Sequence, residues 1–280
     1  MFQHKYNSTL IINILRVFPL LIIAICIVSI TLPAQISYNK ITSISEPLKD
    51  FTSDAFKNIY AVNTKNELVK YDMNGKELLR YSIREYGTIQ IVDASNPFKI
   101  IVFYDETNQL VILDNYLSEI SNTDLFDLNL ISIASICSST NDELWIFDRF
   151  NQQLLRLNNQ FNISQQGEKL NESFHYELVP NFMMEYEESV YLNDSSQGIF
   201  IFDLFGNFQK SFLIKGLISF QIFNDQLIYL ENEQLNILQL ELLNSTVQTL
   251  PLLNTKPTAL RIHGERLYIL EGEQLHLYAF

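Results

Sequence analysis

The sequence predicts an all-β chain: a six-bladed β-propeller closed by an N-terminal strand in the last blade. Three observations predict it. A hairpin motif is written six times along the chain, all eight glycines fall at or beside strand boundaries, and no long stretch shows helical hydrophobic periodicity. Composition permits such a fold, because 280 residues that are 47% hydrophobic and 12% aromatic can fill a large packed core.

In chain order, the first element is a leader. Residues 1–34 carry Lys5 and Arg16, no acid, and an apolar run from Val17 to Leu32 interrupted by Pro19. That run is shorter than the ~20 residues a membrane-crossing helix needs. The segment has the form of a cleaved export signal, with the cut placed after Ala34. Cys26 lies mid-run behind bulky Ile25, so lipidation is not expected. The predicted organisation is a signal peptide over 1–34 and one propeller over 35–280, not an integral membrane protein once the leader is removed.

The hairpins follow at roughly forty-residue intervals, the length of one four-stranded blade. Blade 1 contains NIYAVN (58–63), ELVKYD (67–72) and, through the Asn74-Gly75 turn, ELLRYS (77–82). Blade 2 contains TIQIV (88–92), IVFYD (101–105) and QLVILD (109–114). Blade 3 contains ISIASI (131–136), LWIFD (144–148) and QLLRLN (153–158). Blade 4 contains NFMMEY (181–186), VYLND (190–194), GIFIFD (198–203) and, through Gly206-Asn207, QKSFLI (209–214). Blade 5 contains LISFQI (217–222), LIYLE (227–231) and QLNILQ (234–239). Blade 6 contains ALRI (259–262), LYILE (267–271) and QLHLYA (274–279).

The sixth hairpin ends at the last residue, so its blade has no outer strand of its own. An open array would also leave unpaired strand edges. ISYNKITSI (36–44) precedes blade 1, has strand composition and no other partner, and is expected to pair with the last blade.

ELWIFDRFNQQLLRLN (143–158) and SVYLNDSSQGIFIFDLFGNFQKSF (189–212) resemble NHL-type propeller repeats. In such repeats an apolar strand ends in Asp, a short Asn-containing turn follows, and a second strand ends in an aromatic residue and Asp. The similarity extends over 51–280, with Glu231 and Glu271 replacing Asp in blades 5 and 6. It implies a six-bladed architecture and leaves function open, because the superfamily includes binding modules and enzymes.

The formal net charge is −13, and removing a leader that carries two bases and no acid makes the chain more acidic still. Nucleic acid and anionic membranes are therefore not expected partners. Cys137 alone follows the leader, which excludes an intrachain disulfide and makes it a small buried hydrophobe. There is no nucleophile elbow, zinc-protease helix, phosphate loop, Cys pair or EF-hand loop. His175, His263 and His276 fall on a loop and on two strands of one blade, so no metal site or cofactor is expected. The acids at strand ends (Asp72, Asp105, Asp114, Asp148, Asp194, Asp203) suit side-chain hydrogen bonds to turn backbone.

The turn inside each hairpin and the crossover to the next blade open on one face. The longest crossover, 164–180, would bring Phe174, His175 and Tyr176 to the face that carries Arg149 and Phe150, with Arg84 and Tyr86 contributed by an earlier crossover. Exposed arginines and aromatics are what interfaces favour. Two readings stand: Arg84, Tyr86, Arg149, Phe150, His175 and Tyr176 form a partner surface, or Phe150 and Phe174 tuck under their own loops and the arginines pair with neighbouring acids. The expected function is a monomeric, exported, non-catalytic propeller of a Gram-negative periplasm or cell envelope that binds a protein or surface glycan. The alternative is a propeller hydrolase or lyase with a divalent cation at the channel mouth.

Overall fold

A computed structural model describes residues 38–240, 247–250 and 256–279; the leader expected over 1–34 lies outside the described residues. The fold is a ring of six four-stranded antiparallel sheets. The described residues begin with β1 (Asn39–Ile44) and then form blade 1 from β2 (Leu48–Ser53), β3 (Ile59–Asn63), β4 (Leu68–Tyr71) and β5 (Glu77–Tyr81). Blade 2 is β6 (Ile89–Asp93), β7 (Ile100–Tyr104), β8 (Gln109–Leu113) and β9 (Glu119–Asp124). Blade 3 is β10 (Ile133–Ser138), β11 (Leu144–Asp148), β12 (Gln153–Leu157) and β13 (Ile163–Gln166). Blade 4 is β14 (Phe182–Tyr186), β15 (Ser189–Asp194), β16 (Gly198–Asp203) and β17 (Phe208–Phe212). Blade 5 is β18 (Phe220–Phe223), β19 (Gln226–Glu231), β20 (Gln234–Gln239) and β21 (Gln248–Leu250).

Blade 6 closes the ring as predicted. It contains β22 (Pro257–His263), β23 (Arg266–Glu271) and β24 (Gln274–Ala279), and its fourth strand is β1, antiparallel to β24 from Asn39↔Ala279 to Ile44↔Leu275.

Side-chain alternation builds the core between the blades. In β3, Ile59 and Ala61 face blade 6 beside Tyr268, Leu270 and Leu275, whereas Tyr60 and Val62 face blade 2 beside Ile100, Val102 and Tyr104. The same division recurs around the ring, each cluster joining two neighbouring blades. A middle strand is therefore buried on both faces and reads as a continuous apolar run.

Turn chemistry explains where the acids fall. Asp72, Asp114 and Asp203 each accept two backbone N–H groups of the turn after the third strand, at 2.8–2.9 Å. Asn158 does the same in blade 3, at 3.0 Å. Between the middle strands of blades 3 and 4, Asp148 and Asp194 likewise accept backbone N–H groups of the turn, whereas in blades 5 and 6 Glu231 pairs directly with Gln234 and Glu271 with Gln274, across two-residue turns that start at positive-φ Asn232 and Gly272. This accounts for glutamate at the position that holds aspartate elsewhere.

Two boundaries differ from expectation. The inner strand of blade 1 begins at Leu48, upstream of the repeat span, in LKDFTS. Its two apolar residues, Leu48 and Phe51, are three apart, but a bulge between Leu48 and Asp50 turns both into the core. Residues 163–166 are the outer strand of blade 3, so the long crossover runs from 167 to 181. Among the described residues, no helix is long and apolar enough to cross a membrane.

Candidate functional site

Strand alternation places the turn between the second and third strands of each blade, and the crossover to the next blade, at one end of the ring. The turn 149–152 is held there on three sides. Asp148, buried, accepts from Phe150 N at 3.0 Å and Asn151 N at 3.1 Å through Oδ1, and from Asn151 Nδ2 at 2.7 Å through Oδ2. Arg149 N donates to Ser132 O at 2.8 Å, which fixes the turn to the crossover entering blade 3. Buried Gln152 donates to Arg149 O at 2.9 Å and to Leu178 O at 3.1 Å and accepts from Leu178 N at 2.8 Å, which fixes the turn to the crossover leaving blade 3. Phe150, on this held turn, stands 75% exposed.

The six residues read from the sequence divide in their surroundings. Arg149 and Phe150 are exposed on this turn, and His175 and Tyr176 are exposed on the 167–181 crossover that Gln152 ties to it. Phe174 lies beneath them, its ring 5.4 Å from that of Phe200 and 5.1 Å from that of Phe208, so it anchors the crossover while Tyr176 rests on it at 5.6 Å. Arg84 is exposed on the connection between blades 1 and 2. Tyr86, on the same connection, is half-buried: its ring meets Tyr104 edge-on at 5.4 Å, its hydroxyl is hydrogen-bonded to Asn122 Nδ2, and its carbonyl accepts from Thr107 Oγ1 at 2.8 Å.

Beside Phe150, the structure adds aliphatic residues that the sequence reading did not single out. Ile131, Val179 and Ile218 are 64%, 46% and 61% exposed, and each lies two or three residues before the inner strand of blades 3, 4 and 5. Hydrogen bonds link their segments in succession: Ser132 to Arg149, Gln152 to Leu178, and Asn181 Nδ2 to Ile218 O at 2.7 Å. Ile131, Phe150, Val179 and Ile218 thus form an apolar arc over blades 3 to 5, with Arg149 and Tyr176 on the same segments. The signal for it was positional, an apolar residue repeated just ahead of three inner strands.

His263, His276 and Cys137 are engaged in the fold. Ser53 Oγ and His263 Nε2 are hydrogen-bonded at 2.8 Å, as are Ser43 Oγ and His276 Nδ1. Burial pushes both imidazoles below their ordinary pKa, favouring the neutral ring. Burial pushes the Cys137 thiol well up, which suppresses thiolate chemistry. Among the described residues, no three His, Cys, Asp or Glu side chains converge as a metal site would require.

No family model matches the chain, and no curated protein matches it in sequence. Solved structures match it in fold. A catalytically inactive virginiamycin B lyase from Staphylococcus aureus, crystallised with quinupristin, superposes with a TM-score of 0.61 at 12% identity, covering 87% of this chain and 98% of that one. The WD40 domain of Neurospora crassa Pan2 superposes with a TM-score of 0.61 at 8% identity, covering 88% and 97%. The extracellular domain of the one-component system BT4673 from B. thetaiotaomicron gives 0.55 at 12% identity, covering 83% of this chain and 33% of that one. At these identities the likeness establishes the propeller fold, and function rests on the site.

Proposed function

We propose that the chain is an exported, non-catalytic β-propeller that binds a protein partner through the apolar arc on its crossover face. The observation that carries this reading is the linked set Ile131, Phe150, Val179 and Ile218, exposed on segments that are themselves hydrogen-bonded in place. A rigid surface loses little conformational entropy on binding, and a central aromatic with neighbouring arginine and tyrosine suits a protein interface. Aliphatic side chains favour a protein over a glycan, because they offer a sugar neither hydrogen bonds nor an aromatic platform. Arg149, His175 and Tyr176 supply polar contacts beside the arc, whereas Arg84 and Tyr86 stand apart from it on the connection between blades 1 and 2. The leader sequence supports export, a ring that leaves no blade without its fourth strand supports a monomer, and the acidic charge disfavours nucleic acid.

The test is capture from a cell-envelope extract with the mature protein and with the F150S/I218S double variant. Both side chains are exposed, so stability should change by no more than ~0.5 kcal/mol for each, while capture of the partner falls at least tenfold. Unchanged capture by a variant that melts normally would refute the arc as the binding face.

A further inference from the structure

We propose that the cleft between blades 5 and 6 is a binding site for a ligand carrying a single carboxylate next to an apolar body, with Arg261 as its anchor. The cleft encloses about 230 Å³ and opens on the crossover face, lined by Ile218, Ser219, Leu230, Pro257, Thr258 and Arg261. That volume suits a group of several non-hydrogen atoms, and the lining sets apolar side chains beside Ser219, Thr258, Asn232 and Glu233 around one cation, Arg261.

Arg261 makes the cleft more than a packing gap. Its side chain comes from inner strand β22 and retains only 8% exposure. Nη1 is committed to Leu260 O at 2.9 Å and Ser219 Oγ at 3.3 Å, and the Phe182 ring centre lies 5.9 Å from Cζ. Nε and Nη2 donate to no described residue, although neither is sealed from solvent. These two form the side-on edge of the guanidinium, whose parallel N–H groups match a carboxylate.

The charge is also incompletely balanced. Arg261 forms no salt bridge with any described carboxylate, and burial pulls its pKa down, with Asp50 and Asp93 opposing from the inner strands of blades 1 and 2. Asp50 is solvent-exposed on β2 yet has protein packed around its carboxyl, and burial raises its own pKa, with Arg261 opposing. A buried cation without a contacting anion is costly to keep, and an anionic ligand would offset that cost. The nearby carboxylates and Glu233 in the lining disfavour a dianion, which is why a monocarboxylate is the better fit. The carboxylate could belong to a free acid or to the C-terminus of a peptide.

The experiment is a heteronuclear NMR titration of the mature protein with hexanoate, N-acetyl-leucine and N-acetyl-leucine amide. Saturable shifts confined to residues around 216–220, 228–233 and 257–261 are expected with the first two and not with the amide. Tighter binding of N-acetyl-leucine would identify a chain terminus as the source, and tighter binding of hexanoate a free acid. Arg261→Met should weaken binding at least tenfold. Because that change could unfold the blade, Thr258→Trp, which fills the mouth from an exposed position and leaves Arg261 intact, should weaken it equally. Equal binding of the amide, binding that survives either variant in folded protein, or no saturable binding at millimolar concentration would overturn the proposal.

Discussion

Replacing Glu46 by glutamine should loosen the closure of the ring in a pH-dependent way. Glu46 lies on the connection between closing strand β1 and blade 1, and it meets Arg80 through two parallel bonds, Nη1 to Oε1 and Nη2 to Oε2, both 3.0 Å. Tyr71 OH donates to Oε2 and Asn63 Nδ2 to Oε1, each at 2.8 Å, while Glu67 and Glu77 also engage Arg80. The Arg80 guanidinium, aided by Tyr71 and Asn63, holds the Glu46 carboxyl at about 2 against an ordinary 4.5. Each tenfold in acidity is worth about 1.4 kcal/mol, which sets an upper bound near 3 kcal/mol. The two side chains retain 32% and 23% exposure, so screening reduces the expected contribution to about 1–2 kcal/mol. A depressed carboxyl stabilises the fold fully above its unfolded pKa and loses that contribution as pH falls through about 2. Urea unfolding of wild type and E46Q should therefore differ by about 1–2 kcal/mol at pH 7 and converge towards pH 2. A variant as stable as wild type at pH 7, or a deficit of the same size at both ends of the range, would refute this reasoning.

Deleting residues 38–44 should expose the edge of β24 and uncover Leu275 and Leu277, giving broad unfolding or aggregation; an unchanged melting temperature with a monomeric elution profile would count against closure by β1. His263 should titrate below 6.5 by NMR because burial disfavours its charged form, so its protonation opposes folding and stability rises with pH through that range; a midpoint at or above 6.5 would contradict the buried Ser53 pair. Mass spectrometry of protein recovered from the exporting cell should find a chain that starts near Gln35, and an intact Met1 in a membrane fraction would show the leader to be retained.

The sequence by itself determined the number of blades and their order, because those features depend on strands buried on both faces, and the closure followed by counting, since blade 6 lacked a fourth strand and 36–44 had no other partner. IYAVN, IIVFY and LWIFD must be apolar at every position to serve two neighbours, and such runs are visible without coordinates. Outer strands carry no such demand: ISQQ in β13 is largely exposed, and EISNTD in β9 is scarcely less so, and neither shows a pattern. Turn acids were legible for a similar reason, since an Asx turn is a local interaction spanning two to four residues.

The site depended on relations between distant segments. Phe150 and Phe174 are both loop aromatics in sequence; only the placement of Phe200 and Phe208 decides that one anchors a crossover while the other stands in solvent. Arg261 is one residue of an ordinary strand, ALRI, until ring closure sets it beside Ser219, across from Phe182, and in the field of Asp50 at the other end of the chain. Burial and unmet charge are properties of a closed ring, and no window of neighbouring residues contains them.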